Sequence, residues 1–306
     1  MKRRDFSKLT FSSALLALTP FEIYSASLKP KHHLKISLAQ WSLNKAIKSG
    51  ELSPLDFAKK ARSFEIEGIE YVSGLYTTHS NVLQKISMNQ LGRELLKRSN
   101  DYGIDNVLIM IDGQGSLASS NFSQRSEAIE NHKRWIDFAL TLGCETMRVN
   151  LSGEENLEKW TENSIKSLSE LSNYNKNINV VVENHGGLSS NGKYLSNVMS
   201  KVNIENCGTL PDFGNFCIDG SPRDCNEWYD IYKGVEELMP YAHAVSAKSY
   251  DFDDSGNETK IDYSKMIEIV KKAGYKGYVG IEFEGDKMSE DEGIIATKKL
   301  LEKLII

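Results

Sequence analysis

From Lys35 onward, short apolar strand-like runs alternate with amphipathic helical stretches eight times in succession, one unit about every 30–35 residues. This alternation constrains the fold more than any other feature, because parallel strands need long crossovers and helices supply them. Strand candidates fall at 35–40, 68–72, 105–111, 145–149, 178–183, 207–212, 242–248 and 277–282. Helical patterns fall at 55–66, 87–101, 123–142, 157–173, 192–200, 226–238, 263–273 and 290–304. Ser53 ahead of Pro54, and Asp262 ahead of the run containing Met266, Ile269 and Val270, have the chemistry of helix starts. The pattern predicts one α/β domain from about residue 34 to 306, a (β/α)8 TIM barrel, with a doubly wound open sheet as the alternative. The longest irregular pieces, 73–86, 112–122, 184–191, 213–225 and 249–261, each follow the C-terminal end of a strand candidate, the end at which a barrel carries its functional loops.

Residues 1–26 differ from the rest. A basic head, an apolar middle and a small-residue step at Tyr24-Ser25-Ala26 read as an export signal. Arg3-Arg4 followed by Asp5-Phe6 resembles the bacterial twin-arginine signal, which implies the twin-arginine machinery as a partner of the precursor and a periplasmic destination. No later segment has the length and apolarity of a membrane span. The 306-residue chain carries a formal charge of −5, which becomes −7 once four basic and two acidic residues of that segment are set aside. An acidic body argues against nucleic acid or an anionic membrane surface as partner. Cys144, Cys207, Cys217 and Cys225 form no paired metal motif and are expected as free, mostly buried thiols; a local Cys217–Cys225 disulfide is the alternative in an oxidising compartment.

Three carboxylates recur in phase with the repeat. Glu183, Asp212 and Glu282 end the fifth, sixth and eighth strand candidates, and Ser246 sits late in the seventh, so a closed barrel brings all four to one mouth. Converging carboxylates raise one another's pKa unless a cation compensates. One divalent metal ion is the economical cation: oxygen ligands favour Mn2+ or Mg2+, whereas Zn2+ requires a histidine in the set. Glu284 shares the parity of Glu282 and stands as its alternative. Gln40, Trp41, Glu70, Asp112, Arg148, Asn150, Asn184 and Asn215, at or near other strand ends, offer the donors, acceptors and aromatic face that a polyol needs.

The segments VVENHGG, GTLPDFGNF, AVSAKSYDFD and GYVGIEFEG are similar to those of the xylose isomerase-like barrels, the sugar phosphate isomerases and epimerases. The resemblance implies one divalent ion held by Glu183, Asp212, position 246 and Glu282, with Glu183 and Glu282 approaching opposite faces of a substrate carbon. It also implies an inward-facing carboxylate at Glu70 and a strand-seven lysine at Lys248. Position 246 departs from the family pattern: the usual His-Val-His-x-Lys-Asp is here Ala244-Val245-Ser246-Ala247-Lys248-Ser249, and a hydroxyl is a weaker ligand than an imidazole. His243 lies three residues earlier and faces away in a regular strand, whereas His185, two residues beyond Glu183, is the candidate replacement ligand. Lys248 could offset charge, orient a substrate oxygen or replace the metal altogether.

The expected activity is a divalent-metal-dependent isomerase or epimerase of a small-molecule sugar or keto-sugar, moving the α-proton through an enediolate. A lyase or dehydratase using the same proton abstraction is the second reading, and a non-catalytic carbohydrate-binding barrel the third. A multinuclear phosphodiesterase is disfavoured by a chain with six histidines, two of them (His32 and His33) ahead of the first strand.

Overall fold

The computed structural model describes residues 34–78 and 82–305; the expected export segment over 1–26 lies outside them. Eight parallel strands form one sheet: β1 (Leu34–Ala39), β2 (Gly68–Val72), β3 (Asp105–Met110), β4 (Thr146–Val149), β5 (Asn179–Glu183), β6 (Cys207–Leu210), β9 (Val245–Ser249) and β10 (Gly277–Phe283), in the order β6-β5-β4-β3-β2-β1-β10-β9. Parallel bridges Thr209–Ala242 and Asp212–Ser246 join the two ends, so the sheet closes as the (β/α)8 reading requires.

Eight principal helices follow the strands: α1 (Phe57–Ser63), α2 (Met88–Asp101), α3 (Phe122–Leu142), α4 (Leu157–Tyr174), α5 (Gly192–Val202), α6 (Ile231–Leu238), α7 (Tyr263–Lys272) and α8 (Glu290–Ile305). Their starts obey local chemistry. Ser87 and Gln90 form a reciprocal capping box on α2, and Asn121, Asn156, Asn191, Asp230 and Asp262 each accept a backbone N–H at the start of α3 to α7. The core lies between sheet and helices. In β5, Val180 and Val182 are fully buried and alternate with Glu183; in β10, Val279, Ile281 and Phe283 alternate with Gly280 and Glu282.

The main departure from expectation lies between β6 and α6. Residues 213–225 were expected as an irregular loop and 226–238 as one helix. Instead, β7 (Cys217–Ser221) and β8 (Asp224–Trp228) pair as an antiparallel hairpin, and the helix begins only at Ile231, after its Asp230 cap. A Cys217–Cys225 disulfide ties the two strands, correcting the expectation of four free thiols; Cys144 and Cys207 are free and buried. At the hairpin tip Arg223 reaches Asp286, in the loop after β10, at 3.3 Å.

Inside the barrel, Gly280 leaves room for a buried acid. A Cβ there would stand 2.3 Å from Glu70 Oε1, and Ser37 Oγ donates to that oxygen at 2.5 Å while Oε2 has no partner. Burial, only partly offset by Ser37, pushes Glu70 to about 8, so it is a neutral acid near pH 7. Between about pH 4.5 and 8 the folded chain keeps a proton that the unfolded chain has released, so this group lowers stability as pH rises through that window. Glu70→Gln, which mimics the neutral acid, should match wild type near pH 4.5 and exceed it by about 2–4 kcal/mol at pH 8. Urea unfolding across that range checks this; a constant difference would contradict it.

Candidate metal and proton-transfer site

The site is assembled where the sheet closes. Ser246 bridges to Asp212 on one side and pairs in register with Gly280 on the other, and Lys248 stands opposite Glu282. With Glu183 at the end of β5, these side chains meet inside the mouth. One oxygen from each of Glu183, Asp212 and Glu282 lies within 4.8 Å of the others, and all three residues are buried.

Each carboxylate has its own surroundings. Asp212 Oδ1 accepts from the backbone N–H groups of Gly214 (2.8 Å) and Asn215 (2.7 Å), while Oδ2 meets Ser246 Oγ at 2.7 Å. The Asn184 amide is wholly occupied with the same loop: its nitrogen donates to the carbonyls of Asp212 and Asn215, and its oxygen accepts the Asp212 N–H. Asn215 Nδ2 donates to Glu183 Oε1 at 3.0 Å. Both asparagines, expected as substrate contacts, therefore hold the carboxylates in place. Glu183 Oε2 lies 2.8 Å from Arg148 Nε without the alignment of a hydrogen bond, and Arg148 also pairs with Asp112 at 2.7 Å.

On the other flank the Lys248 ammonium, almost fully buried, lies 3.2 Å from Glu282, 3.2 Å from Glu284 and 3.7 Å from Asp212. Its neighbourhood makes the carboxylates unequal. Burial raises Glu183 to about 7 against the opposing pull of Arg148, and raises Asp212 to about 7 against Lys248. Burial acts on Glu282 in the same direction, but Lys248 and the Ser246 hydroxyl outweigh it and hold this acid below its ordinary value. Ser246 Oγ lies 2.7 Å from Asp212 and 2.8 Å from Glu282 yet has one hydrogen to give, so one contact calls for a proton on a carboxyl.

The other expected residues separate by depth. Trp41, Asp112, Arg148, His185, Glu282 and Glu284 line one cleft of about 290 Å³. Val72 and Gly74 line it from β2 and the segment beyond, whereas Glu70 lies deeper, closed in by Ser37 and Gly280. Asn150 donates to Asp112 at 3.0 Å and borders a neighbouring groove that also touches His185. His185 is exposed on the loop after β5; packing at the mouth, then the charges of Arg148 and Lys248, hold its imidazole below the ordinary pKa even so. The three-carboxylate cluster does not include it. His243 lies beside Gly208 near the sheet's lower end, away from the cluster. A larger cavity, about 610 Å³, opens among strand starts around Leu34, Ile66 and Tyr278 and holds none of the converging acids.

The donor set fits a hard divalent cation. Three buried carboxylate oxygens converge, and Glu183 Oε2 has no donor aligned on it. Around the mouth, the acids Asp112, Glu183, Asp212, Glu282 and Glu284 outnumber their cationic partners Arg148 and Lys248. Position 246, to which the family resemblance assigns a nitrogen ligand, carries the Ser246 hydroxyl.

Solved structures of known barrels superpose over most of the chain. The IOLI protein with a bound zinc atom matches with a TM-score of 0.67 and 14% identity over 89% of this chain and 98% of that one. An L-ribulose 3-epimerase gives 0.65 and 14% over 89% and 94%, and a 3-keto-D-glucoside 4-epimerase from E. coli gives 0.63 and 10% over 89% and 100%. At these identities the likeness concerns the fold. A 64-residue segment is 38% identical to the C-glycoside deglycosidase alpha subunit of Arthrobacter globiformis; it spans 21% of this chain and 16% of that relative. Residues 58–304, most of the barrel, match the xylose isomerase-like TIM barrel family, and the chain belongs to that family.

Proposed function

We propose that this protein is an isomerase or epimerase of a keto-sugar, with Glu183 and Glu282 as the two groups that carry the α-proton. The observation behind this reading is the convergence of three buried carboxylates at one mouth, flanked by Arg148 and Lys248, whose unequal contacts set the acids apart. The epimerases of similar fold support the substrate class.

Glu183, near neutrality and with Asn215 fixing Oε1, presents Oε2 as the base that takes the proton. Glu282, kept ionised by Lys248, is the partner on the other carboxylate face of the cleft, and inversion needs both. Trp41, Arg148 and Asn150, which line or border the cleft, would hold sugar oxygens and a ring face, and His185 at its wall would act as a ligand or proton carrier. A divalent ion held by Glu183, Asp212 and Glu282, completed by His185 or water, would supply positive charge where the carbonyl oxygen gains electron density. The deglycosidase match favours a second reading, in which the same proton removal is followed by departure of a substituent from the adjoining carbon.

Incubation with L-ribulose or a 3-keto-D-glucoside in D2O, with Mn2+ or Mg2+ present, should place deuterium on the α-carbon, read by NMR. An epimer or isomer as product supports the first reading and an eliminated substituent the second. Glu183→Gln should slow exchange about 100-fold or more. Absence of exchange in wild type would leave a carbohydrate-binding barrel as the better account, and full exchange in Glu183→Gln would rule out Glu183 as the base.

Export to the periplasm through the twin-arginine route belongs to the same proposal. It is supported by Arg3-Arg4 and by a disulfide of the kind that persists in oxidising compartments. Full-length protein expressed in a bacterium should fractionate with the periplasm, starting near Ser27, and replacing both arginines with lysine should hold it in the cytoplasm. Unchanged export of that variant would rule the route out.

A further inference from the structure

The mouth contains a cation of its own. Lys248 and Glu282 are register partners on adjacent strands, so once both side chains turn inward the ammonium lies against the carboxylate. It contacts two of the three acids of the convergent cluster, Glu282 at 3.2 Å and Asp212 at 3.7 Å. The same two acids are linked by the short Ser246 side chain. Lys248 also has a third partner: Glu284, 3.2 Å away, more exposed than the others and part of the cleft wall.

We propose that Lys248 is a built-in competitor of the divalent cation. Its ammonium neutralises Glu282 and Asp212 when no metal is bound, and it withdraws onto Glu284 when a metal takes those oxygens. The exchange rests on the proposed use of Glu183, Asp212 and Glu282 as the metal-binding acids. A divalent ion and an ammonium on the same two carboxylates repel each other at a few ångströms, so the binding of one cation disfavours the other. Glu284 lets Lys248 leave without losing an ion pair, which makes the exchange reversible. Ser246 contributes by its size and by lacking a nitrogen donor: the metal gains less at this site than an imidazole would give, so the lysine competes on closer terms.

The test is a titration of chelated, full-chain protein with Mn2+ by calorimetry. Lys248→Met should bind Mn2+ at least ten-fold more tightly than wild type, and its melting temperature without metal should fall and be restored by Mn2+. Glu284→Gln should weaken binding in the wild-type background and have a much smaller effect in the Lys248→Met background, because its role in the exchange acts through the lysine. Equal or weaker binding by a folded Lys248→Met protein overturns the proposal, and so does the same Glu284→Gln effect in both backgrounds. Should Lys248→Met fail to fold by circular dichroism, wild type decides: Mn2+ should speed modification of Lys248 by an amine-reactive reagent, read by mass spectrometry, and no increase overturns the exchange. Deuterium exchange into the keto-sugar is scored separately. A chain that exchanges without tightening keeps the isomerase reading and loses this proposal; one that tightens without exchanging does the reverse.

Discussion

The ion pair between Lys248 and Glu282 is what the mouth of this barrel depends on. Bringing three carboxylates out of water and within 4.8 Å of one another carries a desolvation penalty that mutual repulsion only increases. The structure meets it with one cation on each flank, Arg148 against Glu183 and Lys248 against Glu282 and Asp212. Each cation has a further partner outside the cluster: Arg148 is also tied to Asp112, and Lys248 to Glu284. The division leaves Glu282 well compensated and the other two acids less so, which is why acids of similar intrinsic strength end with different proton affinities.

Around those charges the remaining polar groups act mainly as fixtures. Asn184 and Asn215 are committed to the Asp212 loop and to Glu183, and two backbone N–H groups hold Asp212 Oδ1. An acid fixed by amides presents its remaining oxygen in one direction, which suits ligation and proton transfer equally. Trp41, Arg148 and His185 then form the part of the cleft that faces a visitor.

Much of this was legible in the chain. The eight strand candidates correspond to the eight barrel strands, and helices such as α3 and α4 begin and end within a residue of their expected limits, because caps and apolar periodicity agree there. Glu183, Asp212 and Glu282 were found by spacing alone, since one βα unit per step keeps strand ends at one level. Depth was not legible. Glu70 has the parity of an inward residue, but its height in the barrel depends on strand stagger, which no single strand encodes. His185 shares the parity of Glu183, yet β5 stops at Glu183 and the loop takes the histidine outward. The β7–β8 hairpin escaped because its Asp, Gly, Ser and Pro content reads as loop, and it is cross-linked by a disulfide that no propensity can register.

The closure of the sheet carries a consequence for folding and breathing. Between β6 and the segment leading into β9 the ladder is reduced to the bridges Thr209–Ala242 and Asp212–Ser246, held by backbone bonds from His243 to Thr209, Ser246 to Pro211 and Phe213 to Ser246. The cylinder therefore has a seam, and Asp212 and Ser246 lie on it. Amide hydrogens of His243, Ser246 and Phe213 belong to a zipper whose last tooth is the Ser246 hydroxyl between Asp212 and Glu282. Charge neutralisation at the mouth thus reports directly on how tightly the cylinder is shut, and a sub-global opening along this line would separate the acids before any helix is lost.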